Sequence, residues 1–243
     1  MRLPELARFT QMKHSLFIIT FLCAGNLTFV TPALAAEDKT PATSPSPSEL
    51  MEANYTKAIE GRTADILKAL ALSETNQVAR VHGIIMAQWR ALRAWHDAND
   101  VTLKQAVKAG NSNATAQIRA SLASLHQKFL TALSANLDPQ QVDTVKDRMT
   151  YNKVEVTYNA YCRIVPKLTD AEKARILELL KQAREEAMDC GSAEEKSAVF
   201  KKYKGKINNY LNAQGHDVHK AYQEWGEKQK LKGAEGSAPA SAK

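Results

Sequence analysis

Three helix start signals lie within about sixty residues and constrain the fold more than any other feature of the sequence. Each is a capping box, in which Asp, Thr or Ser is followed three residues later by Gln or Glu. The pairs are Asp138 with Gln141, Thr169 with Glu172, and Ser192 with Glu195. Helix starts at this density leave room only for short connections. The sequence therefore predicts a single all-α, bundle-like domain of about six to seven helices.

Apolar residues at spacings of three and four predict where the helices lie. The clearest stripe consists of Val78, Val81, Ile85, Trp89 and Leu92. The predicted helices cover residues 50–72, 74–98, 114–137, 139–165, 170–189 and 193–204, with a short helix at 103–107 and a last one after residue 217.

The first 36 residues have the composition of a cleaved secretory signal peptide. Arg2, Arg8 and Lys13 precede an apolar stretch over residues 16–30, and a small-x-small cleavage site follows at residues 33–35. Polar residues interrupt the stretch, which is shorter than the about 20 apolar residues that a membrane span needs. We therefore expect a periplasmic or secreted protein without membrane contact after cleavage.

The remaining chain divides into a flexible linker at residues 37–48, a helical domain at 49–231 and a disordered tail at 232–243. Without residues 1–36 the chain carries 30 basic and 25 acidic side chains. This excess is small and contains no run of like charge, which argues against a nucleic-acid partner. The oligomeric state stays open.

The exported chain keeps two cysteines, Cys162 and Cys190. If residues 141–165 and 170–189 form an antiparallel hairpin, the two cysteines lie about twenty residues apart along a helix, or roughly 30 Å. A disulfide needs Cα atoms within about 7 Å. The hairpin thus favours two buried, free cysteines over a bond.

Metal and cofactor motifs are weak in this sequence. His216 and His219 are three residues apart, but no further Cys or His lies close enough in sequence for a structural zinc site. Nucleophile elbows, phosphate-binding glycine loops and dinucleotide fingerprints are absent from the sequence. We predict no metal and no cofactor.

One candidate ligand-binding segment extends from Tyr203 to Gly215, with Gly205 and Gly215 predicted to delimit a turn or two of helix. The adjacent Asn208 and Asn209 are unfavourable inside a helix, because their amides compete for nearby backbone groups. Two explanations remain open. The amides either bind a ligand or bond backbone carbonyls between helices.

A second candidate is the repeat of Thr-Tyr-Asn at residues 150–152 and 157–159. Seven residues are nearly two helical turns, so Tyr151 and Tyr158 would align on the predicted helix 139–165. The alternative is that they form a packing seam. A third candidate is the helix end with Trp95, His96 and Asp97, whose alternative is a core tryptophan beside a solvated terminus.

These segments combine aromatic rings with amides and cations. Aromatic faces pack against the C–H faces of sugar rings, and each amide both donates and accepts, which matches hydroxyl groups. The candidate ligand-binding residues are Trp95, His96, Asp97, Tyr151, Asn152, Tyr158, Lys204, Lys206, Asn208, Asn209 and Gln214.

The same half of the chain resembles a family of exported bacterial proteins that is catalogued as a domain of unknown function. The matching motifs are residues 145–152, 156–158, 164–169, 183–189 and 204–211, within a similarity that covers roughly residues 53–217. Members are described as candidate sugar-binding proteins, so the resemblance implies export and an association with polysaccharide use. It supplies no catalytic residues.

We therefore predict a carbohydrate-binding protein rather than an enzyme. In this prediction the Asn208-Asn209 segment and the Thr-Tyr-Asn helix form one wall of the site. The first alternative is an enzyme such as a uronate lyase, since Tyr or His bases with Lys, Arg and Asn are the side chains that β-elimination uses. The second is a periplasmic chaperone or stress sensor, because the helix starts at residues 137–141 and 168–172 resemble those of small periplasmic chaperones.

Overall fold

The computed structural model of the protein describes residues 46–236, and all of their regular secondary structure is α-helical. The predicted all-α class is confirmed. The helices in this part of the chain are α1 Pro47–Leu70, α2 Thr75–Lys108, α3 Ser112–Ser134, α4 Pro139–Met149, α5 Lys153–Ile164, α6 Asp170–Met188, α7 Ala193–Ala213 and α8 Val218–Gly236. The predicted signal peptide and most of the predicted linker lie outside the described residues. None of the described helices is both long and apolar enough to cross a membrane.

All three predicted capping boxes are present, at the starts of α4, α6 and α7. A fourth joins Ser46 to Glu49 and begins α1 at Pro47, inside the segment predicted as linker. In each box the cap side chain accepts a hydrogen bond from a free amide of the first helical turn.

Two predicted helix ends are wrong. Helix α2 continues to Lys108, ten residues beyond its predicted end, and stops only where Gly110 adopts a φ of 66°. Helix α7 continues through Gly205 to Ala213, because the fully buried Ile207 and Leu211 hold this part of the helix against its neighbours. Burial of this kind outweighs the about 1 kcal/mol that a glycine costs inside a helix.

The predicted helix 139–165 is also wrong, since it is interrupted at residues 150–152 and forms α4 and α5. The break adds one helix, whereas the short helix predicted at residues 103–107 is not separate but part of α2, so the described residues contain eight helices. The two Thr-Tyr-Asn copies therefore do not share one helix face: the first forms the break, and the second lies inside α5.

The buried side chains form two clusters. One joins α1, α2, α3 and α4 around residues such as Ile59, Ile85 and Leu133. The other joins α5, α6, α7 and α8 around residues such as Tyr161 and Leu180. The halves are connected by α6, which contacts α4 as well as α5 and α7.

A buried network of charges fastens α6 to α4. Arg184 is only 3 % exposed. Its guanidinium donates hydrogen bonds to Asp143 and Asp147 at 2.7 and 2.8 Å. Breaking such a pair is costly because it leaves a poorly hydrated charge without its partner.

The network extends to α3 through His126. Its ring nitrogens lie 2.9 Å from Asp189 and 3.6 Å from Glu185, and these carboxylates raise the pKa of His126 to about 9. Burial would raise the pKa of Glu185, but His126 and Lys146 outweigh it and hold that pKa down to about 2.

Both cysteines of the described residues are free thiols. Cys190 is half-buried, and this burial raises its pKa to about 11. The predicted burial of Cys162 is wrong, because it lies on the exposed face of α5.

Candidate functional site

A cavity of about 680 Å³ opens between the C-terminal half of α1, the middle of α2 and the junction of α4 with α5. Its volume lies within the range of about 300–1,000 Å³ that is usual for small-molecule sites. This main cavity is lined by Arg62, Asp65, Ile66, Lys68, Ala69, Trp89, Arg148, Met149, Tyr151 and Asn152.

Helix α1 gives the main cavity a polar stripe. Arg62, Asp65 and Lys68 recur every three residues, so they lie on neighbouring positions of one helix face. All three are exposed, while Ile66 beside them is buried in the core and fixes the rotation of the helix. The stripe therefore presents two cations and one carboxylate to the cavity.

The opposite wall is the turn that ends α4. Tyr151 donates its backbone N–H to the carbonyl of Arg148 at 3.1 Å, and Asn152 donates to the carbonyl of Asp147 at 2.8 Å. This pair of bonds is a Schellman motif, which requires a left-handed residue at the position of Tyr151. Tyr151 adopts this conformation with a φ of 60°.

Tyrosine is an unfavourable residue at this position. The same pair of bonds ends α2 and α7, where glycine occupies the left-handed position as Gly110 and Gly215. A residue with a Cβ pays about 1–2 kcal/mol there. Tyr151 remains 45 % exposed and so recovers little of this cost by burial. Residues held in costly conformations cluster at functional sites.

Asn152 lacks the hydrogen bond that usually stabilises the start of a helix. It is the N-cap of α5, but its side chain makes no capping hydrogen bond, and its φ is 53°. A cap of this kind is usually worth about 1 kcal/mol. The amide of Asn152 is instead part of the cavity lining.

Trp89 forms the inner wall. It is only 7 % exposed, and its indole Nε1 is buried without a hydrogen-bond partner in the described part of the chain. The guanidinium of Arg62 lies 5.8 Å from the ring centroid, within the range of a cation–π contact. An unpaired buried donor of this kind is unusual in proteins.

A smaller cavity of about 180 Å³ adjoins the main one and shares Arg62, Trp89 and Tyr151 with it. Its other lining residues include Tyr55, Arg93, His96, Asp97, Cys190, Gly191 and Lys196. We call it the adjoining cavity. Because three residues belong to both linings, a ligand in one cavity would meet the walls of the other.

His96 is fixed from both ring nitrogens in the adjoining cavity. Its Nε2 donates to the carbonyl of Asp189 at 2.7 Å, and its Nδ1 pairs with Asp100 at 2.9 Å. A Cβ on Gly191 would lie 3.0 Å from the imidazole, which is tighter than an ordinary contact, so a larger residue there would have to displace His96. These contacts give His96 a structural part and leave no ring nitrogen free for proton transfer.

Lys196 is the most buried cation of the adjoining cavity, at 3 % exposure. Its ammonium donates to the carbonyls of Ala187 and Met188 at 2.9 and 3.3 Å, and thereby satisfies the C-terminus of α6. Burial lowers the pKa of Lys196 to about 8. The ring of Trp89 lies 5.8 Å from the same ammonium.

A protein-family model matches most of the chain. The family described as protein of unknown function DUF3826 matches residues 56–231, which include nearly all of the described helices. The chain belongs to the DUF3826 family. No curated protein is similar enough to the chain to count as a relative. The match agrees with the resemblance noted in the sequence.

Four of the predicted site residues line the two cavities of the DUF3826 domain. Tyr151 and Asn152 belong to the main cavity, and His96 and Asp97 to the adjoining one. Tyr151 belongs to both. The break between α4 and α5, which the sequence did not predict, places Tyr151 in both linings.

The predicted wall that combines the Thr-Tyr-Asn helix with Asn208 and Asn209 is not formed, since neither asparagine lines either cavity. Asn208 accepts a hydrogen bond from the hydroxyl of the buried Tyr161 at 2.6 Å, which ties α7 to α5. This bond joins two helices, as the packing explanation expects, but its partner is a side-chain hydroxyl and not a backbone carbonyl. Asn209 is exposed on α7.

The other predicted site residues also lie outside both linings. Trp95 donates its indole N–H to Ser121 at 2.8 Å and so connects α2 to α3. Lys206 places its ammonium 4.1 Å from the ring centroid of Tyr203 on its own helix. The remaining three are a half-buried residue of α5 and two exposed residues of α7 and its C-cap: Tyr158, Lys204 and Gln214.

Four residues of the main cavity were not predicted from the sequence: Arg62, Asp65, Lys68 and Arg148. The first three form the polar stripe of α1, which resembles an ordinary solvated helix face until α4 and α2 are placed beside it. The two histidines considered for a metal point elsewhere: His216 pairs with Glu172 at 2.9 Å. No group of three His, Cys, Asp or Glu residues within residues 46–236 is arranged to hold a metal ion.

Proposed function

We propose that this DUF3826 domain is an exported carbohydrate-binding module and that its ligand occupies the main cavity. The observation that carries the proposal is Tyr151, an exposed aromatic residue of the cavity lining that is held in a left-handed conformation which glycine would adopt at lower cost. A ring that is kept there at the expense of stability requires a reason other than folding.

The cavity chemistry supports the same proposal. The ring of Tyr151 offers an apolar face for the C–H side of a sugar, and the wall of Trp89 lies behind it. Asn152 and Asp65 supply amide and carboxylate groups that pair with hydroxyls. One aromatic platform with a few polar groups around it is the usual composition of a small polar-ligand site.

The test is calorimetry and a thermal-shift screen of the purified protein against plant and microbial oligosaccharides. Tyr151→Ala should weaken binding about tenfold, because an aromatic contact is worth about 0.5–1.5 kcal/mol beyond area burial. Tyr158→Ala is the matched control, since this tyrosine is half-buried on α5 and outside both cavities. Equal binding by wild type and Tyr151→Ala would remove the basis of the proposal.

A uronate lyase is the second candidate, because the side chains suited to β-elimination converge in the same cavity. Tyr151 would be the base there, while Lys68 and Arg148 would stabilise the developing charge and Asn152 would neutralise the carboxylate. An ultraviolet absorbance that grows with time in the presence of pectins or alginates would identify an unsaturated product. A constant absorbance at saturating ligand would rule out the lyase and leave carbohydrate binding as the remaining proposal.

A further inference from the structure

We propose that the ligand of the main cavity is an acidic saccharide, whose carboxylate or sulfate oxygens contact Arg62, Lys68 and Arg148. This inference rests on the proposed carbohydrate site and adds the charge of the ligand. It follows from the kinds of hydrogen-bonding groups that line the cavity and from the charges that the protein leaves unpaired there.

The lining is rich in groups that only donate hydrogen bonds. Arg62, Lys68 and Arg148 are all donors without acceptor atoms in their side chains. Neutral sugar hydroxyls donate as often as they accept, so a neutral ligand would need comparable numbers of both partners. Carboxylate and sulfate oxygens only accept. They are therefore the better complement to this wall.

The three cations of the main cavity are free to take a ligand anion. Within residues 46–236 none of them forms an ion pair at 4.0 Å or less, although Asp65 lies three residues from both Arg62 and Lys68 on α1. A ligand carboxylate would therefore displace no existing ion pair. Hydrogen bonds that involve charged groups are stronger than those between neutral groups, so Arg binds an anion better than a neutral donor does.

The neighbouring cation Arg93 shows the contrast. In the adjoining cavity it pairs with Glu52 at 2.8 Å and stacks on Tyr55 at 4.2 Å. Its charge is already compensated by the protein. The positive charge available to a ligand is thus concentrated in the main cavity, beside the ring of Tyr151.

The proposal is tested by calorimetry with oligogalacturonate and its fully methyl-esterified counterpart. The acidic oligomer should bind and the ester should bind at least about tenfold more weakly. Binding should also weaken from about 0.1 M to about 1 M NaCl, as the Debye length falls from about 10 Å to about 3 Å. A sulfated galactan oligosaccharide, tested in parallel, distinguishes sulfate from carboxylate as the recognised group.

The variant Lys68→Ser/Arg148→Ser should lose about tenfold or more in affinity for the acidic ligand while keeping its circular dichroism and melting temperature. Lys128→Gln removes one charge from an exposed position of α3, outside both cavities, and should bind as the wild type does. Arg148→Lys keeps the charge and should lose less than Arg148→Ser.

Three results would overturn the inference. Equal, salt-independent binding of the ester and the acid would show a neutral-sugar site and leave the proposed function standing. Binding of polyglutamate as tight as that of the oligosaccharides would show that charge alone is recognised. If neither acidic nor neutral oligosaccharides bind, the proposed function fails together with this inference.

Discussion

The left-handed conformation of Tyr151 can be tested by a reversal in the usual order of glycine and alanine. In a helix interior, glycine is about 1 kcal/mol less favourable than alanine. At a left-handed position the order is opposite, because a Cβ costs about 1–2 kcal/mol there and glycine has no Cβ. We therefore expect Tyr151→Gly to be more stable than Tyr151→Ala by about 1 kcal/mol.

Both variants lose the same tyrosine contacts in the cavity, so these contacts cancel in the comparison. Tyr158 provides the matched position, because it lies inside α5 and in the ordinary helical conformation. There Tyr158→Ala should be the more stable variant by about 1 kcal/mol. The two positions should thus differ by about 2 kcal/mol in the effect of the same Gly-for-Ala exchange.

The assay is urea denaturation of the four variants, followed by circular dichroism. With a denaturant dependence of about 2 kcal/mol/M, each expected difference moves the midpoint by about 0.5 M. If alanine is the better residue at both positions, Tyr151 is not in a left-handed turn. The argument that stability is given up for an exposed ring then loses its basis.

Four other predictions address the rest of the fold. Arg184→Met should lower the free energy of unfolding by about 2 kcal/mol. This is less than the about 3–5 kcal/mol that breaking a fully buried ion pair costs, because the aspartate partners of Arg184 are partly exposed. A loss under about 0.5 kcal/mol would contradict this. His126 has a raised pKa of about 9, so its contribution should be complete below about pH 6.5 and vanish as the pH rises through 9, and His126→Gln should remove this slope. Glu185, with its pKa of about 2, should contribute above about pH 4.5 and lose its effect as the pH falls towards 2. Iodoacetamide at pH 8 should label the exposed Cys162 well before the half-buried Cys190, and mass spectrometry that finds the two cysteines joined would refute the free thiols.

The helix starts were predictable because they depend on neighbouring residues. A Ser, Thr or Asp followed by Glu or Gln satisfies free amides locally, so all three predicted boxes are present. Helix ends were harder. Gly205 resembles a helix end in sequence, but burial of its neighbours on α7 continues the helix, whereas Tyr151 ends one without glycine or proline nearby.

The candidate cavity was only partly predictable for a related reason. Its walls come from α1, α2 and the junction of α4 with α5, which are distant in sequence. Tyr151, Asn152, His96 and Asp97 attracted attention as polar and aromatic residues. Arg62 and Lys68 did not, because a charged helix face carries the same pattern whether or not another element faces it.

The placement of Met188 has a consequence for attempts to shorten this domain. Met188 ends α6, which belongs mainly to the second half of the chain, yet its side chain is 1 % exposed and packs in the first core cluster beside α1 to α4. A fragment that stops after α5 would keep the main cavity residues but lose the side chain of Met188 from their core. The resulting cavity should lower the free energy of unfolding by about 2–5 kcal/mol. The half of the domain that contains the main cavity thus takes part of its core from α6, and the two halves should be stable only together.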